Sequence, residues 1–170
     1  MFGLGAESLI NPQIQHFYDA PTGTLSYVVA DKQGGRAAII DCVLGFSMVS
    51  GRMDSKPSDV LLEYVREHDL SVDWILETHA HADHLSGAQF VKQRYPDAEV
   101  AIGEGITGSQ ETFKRVFGLP EEFPTDGSQF DRLLRDGETV QVGTLSFEVI
   151  ATPGHTPGCS SYRFDNHLFT

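Results

Sequence analysis

The segment Thr78-His79-Ala80-His81-Ala82-Asp83-His84 gathers four groups able to ligate a metal into six consecutive positions. In an extended stretch side chains alternate, so His79 and His81 project to one side, while Asp83 and His84 at the following turn converge from a second direction. Neutral imidazole with carboxylate is the donor set of zinc, iron or manganese rather than of copper(I). The small Ala80 and Ala82 leave room for that convergence. Without an ion, such a cluster would cost electrostatic energy at low pH and contribute no packing, so these residues read as a metal site. A lone histidine carries no such argument, and His16, His68 and His167 read as ordinary surface groups.

A second segment, Ala151-Thr152-Pro153-Gly154-His155-Thr156-Pro157-Gly158-Cys159, follows an apolar strand. Two prolines and two glycines around one histidine make a rigid, bent backbone that would present His155 at a fixed point. Alone this would be a turn with an incidental histidine; beside the first loop it reads as a further ligand. Cys159 reads as a small buried residue, and Tyr162 as core. Asp41 reads equally as a plain turn aspartate or as a hydrogen-bond partner of the histidine loop.

The elements that must hold these loops are legible as one alternating series. Thr24 to Ala30 and Arg36 to Cys42 are apolar and β-branched, joined by a polar, glycine-bearing turn, and so read as an antiparallel hairpin. Pro57 to Asp69 changes to helical period, with Leu61, Leu62, Tyr64 and Val65 on one broad face. Trp74 to Thr78 reads as a buried strand, Ser86 to Tyr95 as a helix stopped by Pro96, Glu99 to Gly103 as a strand and Ser109 to Phe117 as a short helix. Thr139 to Val142 and Leu145 to Ala151 form a hairpin at Gly143; Ser160 to Phe164 and His167 to Thr170 form another at Asp165-Asn166. Ending inside an apolar strand is unusual for a domain, so the expectation is one domain over 1–170 that lacks its C-terminal portion.

Composition narrows the function classes. Twelve Lys+Arg against 24 Asp+Glu give a net charge of −12, which argues against nucleic acid and acidic membrane as partners. Two cysteines are too few for a disulfide framework, and a reduced cytoplasmic setting fits. Residues 1–15 lack the layout of a secretory signal, and no apolar run approaches the roughly 18 residues of a membrane span.

THAHADH at 78–84 resembles the HxHxDH signature of the metallo-β-lactamase fold, and TPGHTPGC at 152–159 is similar to the second histidine loop of its glyoxalase II branch. The hairpin, helix, strand and histidine-loop order matches over nearly the whole chain. ETHAHADHLSGA at 77–88, with alanines between the ligands, resembles the persulfide dioxygenases, also called sulfur dioxygenases. The stretch from DCVLGF to ETHAHADH is similar to bacterial β-lactamase-like hydrolases of the sulfide response. The resemblance implies an α/β, αββα sandwich, of which this chain supplies mainly the N-terminal half.

For a persulfide dioxygenase it implies one Fe2+ held by His79, His155 and an aspartate from an F-x-G-D segment, expected just after Leu168-Phe169-Thr170; Asp165 lies in the preceding turn and does not replace it. His81, Asp83 and His84 then surround the ligands or form a vacant second site, and Asp41 orients the loop. The substrates implied are O2 and a small-molecule persulfide such as glutathione persulfide, giving sulfite and thiol. The rival is a binuclear Zn2+ or iron hydrolase of a thioester or lactone, in which His79, His81 and His155 hold one metal and Asp83 and His84 a second. A third reading is an inactive half-site or binding module. A homodimer is compatible with each.

Overall fold

The computed structural model describes residues 11–81 and 84–170, so Asp83, with Ala82, lies outside the described residues. β1 (Gln13–Asp19), β2 (Thr24–Ala30) and β3 (Arg36–Ile40) form an antiparallel meander. The hairpin of β4 (Val43–Ser47) and β5 (Arg52–Asp54) leads into α1 (Lys56–Glu67) and β6 (Ser71–Glu77). The short β7 (Leu85–Ser86) and α2 (Ala88–Lys92) follow, then β8 (Glu99–Gly103), α3 (Ile106–Phe117) and β9 (Arg132–Leu134). β10 (Thr139–Val142), β11 (Leu145–Ala151), β12 (Ser160–Phe164) and β13 (His167–Phe169) form an antiparallel meander of their own.

The strands assemble into a six-stranded sheet of order β1-β2-β3-β6-β8-β9, a four-stranded sheet of β10 to β13 and a small sheet β5-β4-β7. From β3 to β9 the large sheet is parallel, and it is covered on both faces, which is why its strands read as near-continuous apolar runs. On one face Ile39, Ile75 and Val100 meet Leu61 and Val65 of α1 and Val91 of α2. On the other, Ile40, Trp74 and Leu76 meet Val142, Phe147, Val149, Tyr162 and Phe164 of the four-stranded sheet. Each such side chain, fully buried, stabilises the fold by about 1.5–3 kcal/mol. Helices, sheet and sheet are three layers of the expected α/β sandwich.

One irregularity sets which residues reach which layer. Ala37 pairs with Val72 but Ala38 with Trp74, so Asp73 is an extra residue in β6. That bulge lets Val72 enter the helix-side core and Trp74 the sheet-side core, where its indole N–H donates to the Gln141 carbonyl at 2.9 Å.

The expected strands and the first helix are present within a few residues. The helix expected from Ser86 starts at Ala88, because Ser86 pairs in β7 and its hydroxyl accepts the Ala88 N–H at 3.0 Å. α3 begins at Ile106 rather than Ser109, burying Ile106. Five strands were not expected from sequence: β1, whose side chains are mostly polar and half-exposed; the wholly exposed β5 and its partner β4; the three-residue β9; and β7. β7, at two residues, is too short to give a pattern.

Candidate metal centre

Asp41 follows β3 with φ +50°, a left-handed conformation that aspartate tolerates better than bulky residues do. Its backbone is pinned, the N–H donating to Leu76 O at 2.9 Å and the carbonyl accepting from Ser26 Oγ at 2.6 Å. The buried carboxylate therefore has one direction to face, toward the start of the histidine loop. Oδ1 accepts the Thr78 N–H at 2.8 Å and Oδ2 the Thr78 hydroxyl at 2.9 Å. His81 Nε2 lies 3.2 Å from Oδ1. Asp41 thus sits at the bend after β3 with its carboxylate hydrogen-bonded to the histidine loop.

These bonds fix where the ring protons sit. Thr78 Oγ1 has one hydrogen and gives it to Asp41, so the contact of Thr78 Oγ1 with His79 Nδ1 at 3.0 Å must be donated by the ring. The neutral His79 ring then carries its lone pair on Nε2. A carboxylate only accepts, so His81 donates from Nε2 and, when neutral, carries its lone pair on Nδ1.

Glu77, the last residue of β6, was not singled out from sequence. The available signal was a carboxylate ending an otherwise apolar strand one position before the loop. Its side chain is buried; Oε1 accepts from Ser86 Oγ, so Glu77 and Ser86 clasp the two ends of the loop. Among the described residues Oε2 has no hydrogen-bond partner, and His81 Nε2 stands 3.7 Å away. Burial pushes the Glu77 carboxyl well above its usual range, and the neighbouring Asp41 charge adds to this, against the pull of Ser86 and His81. The Glu77 carbonyl accepts the hydroxyl of Tyr162 at 2.7 Å, so Tyr162 is core, as expected, and also a hydrogen-bond donor beneath the loop.

The second loop arrives from the four-stranded sheet. Thr152 N–H to Cys159 O at 3.0 Å closes its neck, and Ser160 N–H to Thr78 O at 2.9 Å ties it to the first loop. Cys159 is half-buried rather than buried as expected: the loop stays at the surface, and the sulfur accepts from Thr156 N–H at 3.2 Å. His155 is exposed on the cavity side.

Four expected ligands come together in a row. Ring centroids of His84 and His81 are 4.1 Å apart, His81 and His79 3.9 Å, and His79 and His155 5.0 Å. His84 Nδ1 also meets Thr24 Oγ1 at 3.1 Å. His79, His81 and His155 line a cavity of about 710 Å³ together with Asp41 and Thr78. The cluster lies at the carboxyl ends of β3, β6 and β11, where open α/β sheets bind ligands. His16 and His167 are exposed, as expected of surface histidines, whereas His68 is half-buried and stacks on Tyr64 at the end of α1. Clustered imidazoles with oriented lone pairs over buried carboxylates fit a divalent borderline cation.

Residues 19–170 match the Metallo-beta-lactamase superfamily. The chain belongs to that superfamily. It is 47% identical over 154 residues to glyoxylase B2 of Dictyostelium discoideum, covering 91% of this chain and 53% of the relative. It is 27% identical over 165 residues to the mitochondrial persulfide dioxygenase ETHE1 of Homo sapiens, covering 97% and 51%. The crystal structure of ETHE1 from Myxococcus xanthus superposes with TM-score 0.70 at 26% identity, over 92% of this chain and 55% of that one. This metallo-β-lactamase chain thus spans about half the length of the curated relatives it matches. Members of the superfamily are typically metal-dependent enzymes. Among the described residues no helix is long and apolar enough to cross a membrane.

Proposed function

We propose that the chain carries the histidine side of a mononuclear iron site and belongs to a persulfide dioxygenase. The observation that carries this reading is the different engagement of the two adjacent rings. His81 Nε2 faces the Asp41 carboxylate at 3.2 Å, while the His79 ring, its Nδ1 facing the Thr78 hydroxyl, stands beside the His155 ring with centroids 5.0 Å apart. Two histidines with one carboxylate would make a two-histidine, one-carboxylate set, which leaves positions open for sulfur and O2. Similarity to proteins named persulfide dioxygenase and ETHE1 supports the same choice.

When bound, ferrous iron supplies the electron transfer that O2 activation needs. The residues supply position. Asp41 and Thr78 keep His79 in its ligating tautomer, and Glu77 with Ser86 holds the loop closed. The cavity beside His79 and His155, about 710 Å³, is where a small persulfide such as glutathione persulfide would bind. Its outer sulfur leaves as sulfite, gaining both atoms of O2 and one oxygen from water, and its inner sulfur leaves as thiol.

A binuclear hydrolase is the second reading. It is favoured by the 4.1 Å approach of the His81 and His84 rings, which in that scheme serve neighbouring ions, and by the 47% identity to glyoxylase B2. Oxygen uptake with glutathione persulfide, measured against thioester hydrolysis and with the metal counted, separates them. One iron with O2 consumption supports the dioxygenase; two zinc ions with O2-independent hydrolysis contradicts it.

A further inference from the structure

The loop carrying His155 rests on a seam where glycines face it with no room for a side chain. Gly105, between β8 and α3, faces Gly158: a Cβ on Gly105 would come within 3.0 Å of Gly158 Cα and 3.3 Å of the Pro157 carbonyl oxygen. From the other side, a Cβ on Gly158 would lie 2.8 Å from Gly105 O and 2.8 Å from Ser109 Oγ. Gly103 repeats the pattern, since a Cβ there would overlap Ser160 Oγ. These distances are inside the roughly 3.5 Å at which uncharged heavy atoms pack without repulsion. Conformation is not the reason for glycine here: Gly105 has φ −60°, which any residue adopts. Space is the reason.

The loop is stiff enough to transmit a shift. Its neck is closed by Thr152 N–H to Cys159 O, Pro153 and Pro157 fix two of its φ angles, and His155 stands three positions before Gly158. Among the described residues His155 has no buried carboxylate against it, whereas His81 has Asp41, so its distance from His79 depends on where the backbone of the loop rests.

Resting on the reading of His79 and His155 as ligands of one ion, we infer that Gly105, with Gly158 facing it, is a positioning residue that sets the placement of His155 opposite His79. An added methyl lifts the loop by about half an ångström or more. Metal affinity falls while the core under α1 and α2 stays intact.

The test is Zn2+ titration of the purified protein and of Gly105→Ala, with Gly108→Ala as control, because a Cβ at Gly108 meets nothing within 4 Å. Gly105→Ala should weaken Zn2+ binding about tenfold to a hundredfold, and Gly108→Ala should leave it unchanged. Co2+ absorption should shift in the first variant only. In metal-free protein the NOE between the His79 and His155 rings should be lost. In a His155→Ala background, Gly105→Ala should cost no further affinity. Gly158→Ala probes the same seam from the opposite side and keeps the test decisive should Gly105→Ala fold poorly. Wild-type affinity in either folded seam variant, or a loss that adds fully to that of His155→Ala, overturns the inference. Absence of Zn2+ binding by the wild type would instead strike at the ligand assignment itself.

Discussion

The loop at 78–86 hangs from buried carboxylates, whereas the loop at 152–159 rests on backbone and closes its own neck. In the first, Asp41 and Glu77 are largely withdrawn from water, and their bonds to Thr78, His81 and Ser86 specify ring orientation and tautomer as well as position. In the second, an exposed His155 is placed by glycine contacts and prolines. Buried polar networks fail when one atom is deleted, because the remaining partners stay desolvated. Backbone seams fail when one atom is added. The two histidines proposed to meet at one ion are thus exposed to opposite kinds of mutation.

Asp41→Ala should break the first loop most severely. It leaves the buried Thr78 N–H without this acceptor and removes one partner of His81, at a cost of about 3 kcal/mol in urea denaturation of metal-free protein. Asp41→Asn, which tolerates the same φ and keeps one acceptor oxygen, should lose clearly less.

Thr78→Val sharpens the tautomer argument. Stability should fall by about 1–1.5 kcal/mol, and ¹⁵N spectra of the His79 ring should change from one tautomer to a mixture, with Thr78→Ser restoring the single form.

Tyr162→Phe removes only the bond to the Glu77 carbonyl and should cost about 1 kcal/mol with Zn2+ affinity unchanged. A large loss of affinity there would mean that the loop is held less by Asp41 than argued.

The smallest effect expected lies away from both loops, at Asp31. Burial opposes ionisation of its carboxyl, but hydrogen bonds from Thr144 and Arg36 outweigh it, and the pKa is lowered from 3.8. A carboxyl with a depressed native pKa contributes stability above its unfolded value, and that contribution is lost as pH falls through the native value. Asp31→Asn should therefore be destabilising at pH 7, with the gap from wild type narrowing below pH 3.8. A gap independent of pH would contradict this.

Much of the centre was legible because its chemistry is concentrated: histidines two and three positions apart, and a histidine framed by Pro and Gly, stand out from any background. The strands beneath them were legible too, since burial on both faces leaves runs such as AAII and WIL. What remained hidden was long-range or short. Glu77 looks like the polar end of a strand until Asp41, thirty-six positions earlier, and Ser86 are brought beside it. The Gly105–Gly158 seam joins segments whose proximity no local pattern reports. Ser86 fits helical periodicity, yet its hydroxyl is used against Glu77 and its backbone in β7, so the helix starts later. β1 and β5 carry too little buried apolar surface to announce themselves.

X-ray absorption at the iron edge, on protein loaded anaerobically with about one equivalent of Fe2+, tests the shared ion most directly when wild type and His155→Ala are compared. We predict two imidazoles per iron in the wild type, one in the variant, and no metal–metal scattering. An unchanged imidazole count in the variant, or a second metal at about 3.5–4 Å, would contradict the pairing of His79 with His155 at a single iron.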